Sequence, residues 1–268
     1  MILVDMNQVT ISNLMIQMKN EPLSVDLVRH LVLNSIRSYR TKFFNEFGEL
    51  ILCYDDKHYW RRDLFPYYKS NRKKDRTESN LNWNELFETL NLIRDELKET
   101  FPYKVLQVDG AEADDIIATI VNLVSKTPNL FEKILIMSGD KDFIQLQTHE
   151  NVQQYSPTLK KFINGVDPNT YKIEHIFKGD RGDGIPNILS PDNTFVEGLR
   201  QKPLGKNKID SWKQVGTWPI DDWNEEIKRN YQRNCKLIDL DLIPSHIRDT
   251  IYYSCLLYTS DAADEYSG

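Results

Sequence analysis

Acidic side chains that directly follow apolar runs are the feature of this sequence most suited to chemistry. Ile134–Met137 is one such run, and it leads through Ser138 and Gly139 to two aspartates, Asp140 and Asp142. A short apolar run predicts a buried strand, and the Ser-Gly pair predicts the turn that ends it. Carboxylates held at such an edge must be hydrated, paired or bound to a cation. Both aspartates are therefore candidate metal ligands.

The same pattern recurs at three other places, where predicted strands at 2–4, 50–54 and 103–108 each lead to aspartate. Because parallel strands present their carboxyl ends at one edge of a sheet, these side chains are expected to lie along a common edge. One acidic strand end is a common turn or helix cap, but four indicate a cation site. The four strand-end aspartates are Asp5, Asp55, Asp109 and Asp140.

Two further acidic clusters accompany the strand ends, GAEADD at 110–115 and GDRGDG at 179–184. The first cluster opens a predicted helix. Acidic residues are favoured at the start of a helix, and this preference alone would explain one or two of the acids. It does not explain the whole set. Because histidine and cysteine are absent from these clusters, the donor set suits magnesium. Two such ions roughly 4 Å apart can activate a water molecule and stabilise the leaving oxygen of a phosphodiester.

A basic segment complements the acidic residues. Residues 57–76 carry eight lysines and arginines against two aspartates, although the formal net charge of the whole chain is −6. In a helix, four of these cations form one stripe, and the neighbouring aromatic side chains could stack on bases. By itself, the segment is more typical of a solvated loop. Next to a metal-binding sheet edge, a phosphate-binding role is favoured. The stripe consists of Lys69, Arg72, Lys73 and Arg76.

The order of the elements predicts an α/β fold with a mostly parallel central sheet and helices on both faces. We expect strands at the apolar runs, a hairpin at 152–155 and 161–163, and helices at 25–40, 83–100, 114–124, 168–178 and 221–234. The composition, 40% hydrophobic and 28% charged, is that of a soluble globular protein. No membrane span or signal peptide is evident, so a cytoplasmic location is expected. The three distant cysteines suggest neither a disulfide framework nor a zinc cluster.

Taken together, these motifs resemble the flap endonuclease and 5′-nuclease superfamily, and within it the ribonuclease H enzymes of T-even bacteriophages. The resemblance covers about residues 2–254. Its most specific part is the pair formed by Glu-Ala-Asp-Asp at 112–115 and Asp-Lys-Asp-Phe at 140–143. The family order also contains LVD at 3–5, CYD at 53–55, YWRRD at 59–63, YYK at 67–69, KGD at 178–180 and LIDLDLIP at 237–244.

The resemblance implies a PIN-like nuclease core at 1–165 with a basic arch at about 57–80. It implies a helical duplex-binding region with a helix-turn-helix at 166–254. Residues 255–268 resemble translated sequencing adapter and are expected to be a non-native tail.

The resemblance also implies roles for individual residues. Lys69 and Arg72 would reach the scissile phosphate from the arch, with Tyr68 close to the first nucleotides. The catalytic set would then be Lys69, Arg72, Asp5, Asp55, Asp140 and Asp142. Two Mg²⁺ ions, with Mn²⁺ as a substitute, would be bound by Asp5, Asp55, Glu112, Asp114, Asp115, Asp140, Asp142, Asp180 and Asp183. The nucleic-acid contacts would be Arg61, Arg62, Tyr68, Lys69, Arg72, Lys73 and Arg76.

The expected activity is that of a monomeric, phage-encoded 5′→3′ nuclease acting on duplex DNA, RNA–DNA hybrids and 5′ flaps. It would remove RNA primers during lagging-strand replication, with a single-strand-binding protein and a sliding clamp as partners. Two alternatives stay open at this point: a structure-specific nucleic-acid-binding module without catalysis, and a PIN-type endoribonuclease.

Overall fold

The computed structural model describes residues 1–17, 24–78, 81–127, 132–214 and 223–265, and among these the side chains of 16–17, 73–75, 78, 213–214 and 257–265 are not described. Two compact units are present. The first, the sheet unit, contains residues 1–59, 82–166 and 244–268. The second, the helical unit, contains residues 60–81 and 167–243.

The division differs from the one expected from sequence, which placed the basic arch in a continuous core at 1–165. Residues 60–81 group instead with 167–243, and the segment from Pro244 onward returns to the sheet unit. The boundaries differ because each unit is defined by its internal contacts, and these contacts join segments that are distant in sequence. The duplex-binding role expected for 166–254 stays a prediction.

The sheet unit is built on a six-stranded sheet in the order β3-β2-β1-β4-β5-β6. All neighbouring pairs are parallel except β5 and β6, which form the expected hairpin. The predicted mostly parallel sheet is therefore confirmed. Its strands are β1 (Ile2–Asp5), β2 (Leu50–Tyr54), β3 (Lys104–Gln107), β4 (Ile134–Met137), β5 (Val152–Ser156) and β6 (Lys161–Ile163).

Central strands β1 and β4 are buried at every position. Because successive side chains of a strand point to opposite faces, both faces of the sheet are covered there. This pattern is typical of parallel sheets flanked by helices. The flanking helices are α1 (Met6–Gln17), α2 (Val25–Phe47), α5 (Trp83–Thr100), α6 (Ala113–Lys126) and α10 (Ser245–Glu265).

Local signals define the starts of two of these helices. The Ser24 hydroxyl accepts a hydrogen bond from the Leu27 N–H at 3.2 Å, and the Asn82 side chain accepts one from the Glu85 N–H at 3.3 Å. Both are the expected N-caps. Helix α2 continues beyond its predicted end at residue 40, because Phe43 and Phe47 extend its buried stripe.

The sequence made no prediction for α1. The predicted non-native tail at 255–268 begins inside α10, whose helical backbone continues through Glu265, so its origin stays a prediction.

The helical unit contains α3 (Trp60–Leu64), α4 (Asn71–Glu78), α7 (Pro168–Lys178), α8 (Lys206–Gln214) and α9 (Glu225–Ile238). Helix α7 has its predicted bounds, whereas the predicted start of α9 at 221 lies outside the described residues. A compact helix-turn-helix after α7 is not confirmed, because the next helix along the described chain begins at Lys206. The intervening segment is instead held by buried amides.

Two buried asparagines of α9 provide these amides. Asn230 donates to the carbonyl oxygens of Ile188 and Ser190, both at 3.1 Å. Asn234 donates to the carbonyl oxygens of Ile176 at 2.8 Å and Pro186 at 2.9 Å. Both asparagines are fully buried, so these bonds replace the backbone pairing that a regular element would supply.

Candidate functional site

The carboxyl ends of three adjacent strands, β2, β1 and β4, present Asp55, Asp5 and Asp140. Asp5 is only 5% exposed, and its carboxylate accepts hydrogen bonds from the Gln8 N–H and from the Ser138 hydroxyl, both at 3.0 Å. The second of these bonds joins the end of β1 to the turn after β4. The parallel sheet thus brings together acids that are 50 to 135 residues apart along the chain.

Electrostatics confirm that these acids share one environment. Burial raises the pKa of Asp5 to about 7, and the neighbouring carboxylates of Asp55 and Asp140 contribute to the increase. Like charges in a partly dry site disfavour ionisation, and a bound cation is the usual means of relieving this repulsion. The described carboxylates therefore fit a divalent metal ion.

The start of α6 adds further carboxylates to the edge. Glu112 and Asp115 are buried, and the Asp115 carboxylate accepts a hydrogen bond from the Glu112 N–H at 2.9 Å. Asp114 is half-buried in the first turn. The Ala113 N–H donates to the Asp55 carboxylate at 2.8 Å, which fixes the end of β2 to the amino terminus of the helix. Negative charge is favoured at this end of a helix.

The turn after β4 positions the remaining pair. The Asp140 carboxylate accepts from the Asp142 N–H at 3.0 Å, and the Asp140 N–H donates to the Ser138 hydroxyl at 3.1 Å. At Gly139 an added Cβ would lie 3.0 Å from the Gln8 amide nitrogen, so the turn packs closely against α1. The segment at 138–142 is therefore an acidic turn fixed by its own hydrogen bonds.

Two strand-end residues behave differently from this set. Asp109 follows the edge strand β3 and is exposed. Asp56, which the sequence did not single out, accepts hydrogen bonds from the Gly110 N–H at 3.1 Å and the His58 N–H at 3.3 Å, so it organises the loop. Gln8 was also missed, because an amide in a helix carries no sequence signal for supporting a site.

The other two predicted metal ligands, Asp180 and Asp183, belong to the helical unit. Asp180 forms a hydrogen bond with His175 at 3.1 Å and accepts one from the Asp183 N–H at 3.0 Å. Burial raises the pKa of Asp180, but these hydrogen bonds outweigh it and hold the pKa below its usual range. The nine predicted ligands thus divide between the units, seven in the sheet unit and two in the helical unit.

The arch residues expected to contact phosphate converge on Asp183 in the helical unit. Its carboxylate accepts a hydrogen bond from the Tyr68 hydroxyl at 3.0 Å and pairs with Arg72 at 2.6 Å and Lys69 at 3.7 Å. Lys69 is buried, and its backbone has φ of 55°, a left-handed conformation that is unfavourable for residues other than glycine. Such strain is typical of functional sites and persists only where the surrounding structure enforces it.

The other arch cations lie in contrasting environments. Arg61 is 2% exposed, and its guanidinium donates to the Leu237 carbonyl oxygen at 3.0 Å near the end of α9. This burial gives Arg61 a structural role that differs from the expected nucleic-acid contact. Arg62 is exposed and Arg76 is half-buried, whereas the Lys73 side chain lies outside the described residues.

The sheet unit carries carboxylates at the carboxyl ends of its parallel strands, and the helical unit carries the cations of the basic arch. Metal-dependent nucleases use these residue types, so this chain falls in the class of α/β nucleases. The comparisons with known proteins identify its family. The family model described as 5'-3' exonuclease, N-terminal resolvase-like domain, matches residues 15–176. The chain belongs to the 5′-3′ exonuclease family of the flap endonuclease superfamily, whose members are nuclease hydrolases.

Two curated relatives illustrate the range of similarity. Ribonuclease H of Enterobacteria phage T4 is 35% identical, over 94% of this chain and 85% of its own length. The 5'-3' exonuclease of Buchnera aphidicola subsp. Schizaphis graminum is 30% identical, over 59% of this chain and 53% of its own length.

Solved structures support the fold. The 5'-exonuclease of T5 with bound zinc superposes with a TM-score of 0.71 at 20% identity, covering 96% of this chain and 98% of its own. The bacteriophage T5 flap endonuclease in a pseudo-enzyme-product complex with DNA and metal ions gives 0.70 at 20% identity, covering 95% and 97%. Within the described residues, no helix has the length and apolar content that a membrane span requires.

Proposed function

We propose that this chain is a divalent-metal-dependent 5′→3′ nuclease that hydrolyses phosphodiester bonds in RNA–DNA hybrids, duplex DNA and 5′ flaps. The observation that carries the proposal is the cluster of Asp5, Asp55 and Asp140 at the ends of adjacent strands, where burial, and in addition repulsion from the other two carboxylates, raises the pKa of Asp5. A site that served only to bind nucleic acid would gain nothing from repelling phosphates in this way.

The carboxylates of the sheet unit have a defined task in this scheme. They would hold the metal, directly or through water, at the edge of the sheet, where hydrogen bonds from Gln8, Ser138 and Ala113 fix the orientations of Asp5 and Asp55. When bound, two Mg²⁺ ions, or Mn²⁺ in their place, supply an activated water and neutralise charge on the phosphodiester. Asp180 and Asp183 are proposed as further ligands.

The helical unit supplies the contacts to nucleic acid. Lys69 and Arg72 are proposed to stabilise charge on the scissile phosphate, and Tyr68 to lie beside the first nucleotides. The exposed Arg62, together with Lys73 and Arg76, would bind the phosphate backbone, whose affinity is largely electrostatic. Residues 166–254 are proposed to bind duplex through a helix-turn-helix element.

The relatives suggest the biological setting. The similarity to a ribonuclease H of phage T4 supports a phage-encoded nuclease. We propose that it is a monomer that removes RNA primers during lagging-strand replication in the cytoplasm of an infected bacterium. The complex of the T5 flap endonuclease with DNA and metal ions supports DNA as a substrate. A replication single-strand-binding protein and a sliding clamp are proposed as partners.

The test is cleavage of a 5′-labelled RNA–DNA hybrid and a 5′-flap duplex, in magnesium and in EDTA. Asp140→Asn is expected to slow cleavage by about 100-fold or more, because it removes a charged ligand from the metal site. The matched control is Asp109→Asn, which removes an exposed strand-end charge and is expected to cleave at the parent rate.

Short 5′ products that require both magnesium and Asp140 would support the proposal. Tight binding of the flap without products, in the parent protein and with magnesium present, would identify a binding module instead. Preference for free single-stranded RNA over a duplex junction would identify a PIN-type endoribonuclease.

A further inference from the structure

Gln154 places a fully buried amide in the sheet unit, at a position of β5 where an apolar side chain is the usual choice. Its neighbours along the strand are the exposed Gln153 and the buried Tyr155. Burying an amide is costly unless its donors and its acceptor are hydrogen-bonded. The partners of Gln154 therefore show what this side chain contributes.

Both hydrogen-bond donors of the Gln154 amide face the acidic turn that follows β4. The side-chain nitrogen donates to the carbonyl oxygen of Ser138 at 3.0 Å and to that of Asp140 at 2.5 Å. The side-chain oxygen accepts a hydrogen bond from the Gln147 amide at 3.1 Å. Since carbonyl oxygens only accept hydrogen bonds, these partners fix which way round the amide lies. One side chain of β5 thus joins two residues of the turn, on either side of Gly139.

The two residues that Gln154 holds also orient two of the proposed metal ligands. Asp140 carries one of these carboxylates itself. The Ser138 hydroxyl donates to the Asp5 carboxylate at 3.0 Å and accepts a hydrogen bond from the Asp140 N–H at 3.1 Å. A shift of the turn backbone would therefore displace the Asp140 carboxylate together with the hydrogen bond that orients Asp5. Because Gln154 contacts backbone oxygens rather than carboxylates, its hydrogen bonds are compatible with metal ligation by both aspartates.

We propose that Gln154 is a positioning residue for the divalent metal. It contacts neither the ion nor the nucleic acid, and it fixes the turn at 138–142 so that Asp5 and Asp140 can bind the ion together. The proposal rests on the proposed function, which places the metal at these carboxylates. Partners that orient metal ligands commonly contribute about 10- to 100-fold to metal affinity.

The test measures binding of Mn²⁺ to the folded protein without nucleic acid, with the free ion followed by its electron paramagnetic resonance signal. Gln154→Met nearly keeps the length of the side chain but removes both donors, so the Mn²⁺ dissociation constant is expected to rise about 10-fold or more. The matched control is Gln153→Met, the same substitution at the adjacent exposed position. Its dissociation constant should stay within about twofold of the parent value.

The magnesium dependence of 5′-flap cleavage separates positioning from a general loss of structure. In Gln154→Met the magnesium concentration for half-maximal cleavage should rise by the same factor, and saturating magnesium should restore most of the parent rate. Asp140→Asn, which removes a proposed ligand, should not be restored in this way. A purely structural role would lower the Tm in EDTA but leave the Mn²⁺ dissociation constant of the folded protein unchanged.

Gln154→Asn preserves the test if Gln154→Met does not fold. It keeps an amide at the buried position but places that amide one methylene further from the turn, so the Mn²⁺ affinity should again fall. A dissociation constant no higher than that of Gln153→Met, in whichever variant folds, would overturn the proposal and leave the proposed function standing. Failure of the parent protein itself to bind Mn²⁺ would reject the proposed function as well.

Discussion

Replacing Asp5 by asparagine should stabilise the metal-free protein at neutral and alkaline pH. Asp5 has a usual pKa of 3.8, which the fold raises to about 7 through burial and through the carboxylates of Asp55 and Asp140. The folded protein therefore binds this proton more tightly than the unfolded chain does. The free energy of unfolding consequently falls as pH rises from about 4 to about 7, and the full cost is present above pH 7.

The magnitude follows from the displacement of the pKa. A difference of one pKa unit corresponds to about 1.4 kcal/mol, so ionised Asp5 costs the folded state about 4 kcal/mol as an upper bound. Asparagine removes this charge, and its side-chain oxygen can still accept the hydrogen bond from the Gln8 N–H. A gain of this size corresponds to an increase in Tm of about 10 °C for a chain of this length.

The assay is thermal unfolding followed by circular dichroism between pH 5 and pH 8, in EDTA and in magnesium. In EDTA the parent should lose stability across this range, whereas Asp5→Asn should give a flatter profile. Magnesium should raise the Tm of the parent at pH 8, because it binds only the folded state, and should have little effect on the variant.

Asp109→Asn is the control, because this exposed strand-end aspartate should change stability by no more than about 0.5 kcal/mol. The reasoning would be refuted if Asp5→Asn melted at or below the parent temperature at pH 8 in EDTA. It would equally be refuted if magnesium stabilised the variant as much as the parent.

Three further substitutions test the helical unit. Lys69→Ala should slow cleavage of a 5′ flap much more than it weakens flap binding, since its charge acts mainly in the transition state; equal losses would make it a simple phosphate contact. Arg61→Ala should lower the free energy of unfolding by about 2 kcal/mol, because it removes the guanidinium that donates to the Leu237 carbonyl oxygen. Arg62→Ala, at an exposed position, should leave the free energy of unfolding almost unchanged, and urea titration measures both. Asn234→Ala should cost about 1–3 kcal/mol in the same titration, because the Ile176 carbonyl oxygen loses this donor while the Pro186 carbonyl oxygen keeps only its bond from Arg233; a smaller loss would show that water replaces the amide.

Local sequence patterns predicted much of the sheet unit. The apolar run at 134–137 became β4 with the predicted bounds, and Ser24 and Asn82 cap their helices as expected. These features depend on neighbours within a few residues, such as the periodicity of apolar side chains and the hydroxyl or amide before a helix. The acidic edge followed from the same logic, because parallel strands place their carboxyl ends together.

Other features could not be read from local patterns. A basic stripe in the sequence does not distinguish Arg61, which is buried, from Arg62, which is exposed, because the difference lies in the carbonyl oxygen of Leu237 far along the chain. The supporting role of Gln8 likewise depends on a turn more than 130 residues away.

The sequence by itself determined which residues of this protein are acids at strand ends and which are cations in the arch. Only the tertiary structure decided how they are partnered: Asp183, predicted from its motif as a metal ligand, pairs with Lys69 and Arg72 of the arch. The physical reason is that residue type and spacing fix local conformation and charge. Partners more than 100 residues apart are chosen by chain topology and by the requirement that buried polar groups be satisfied.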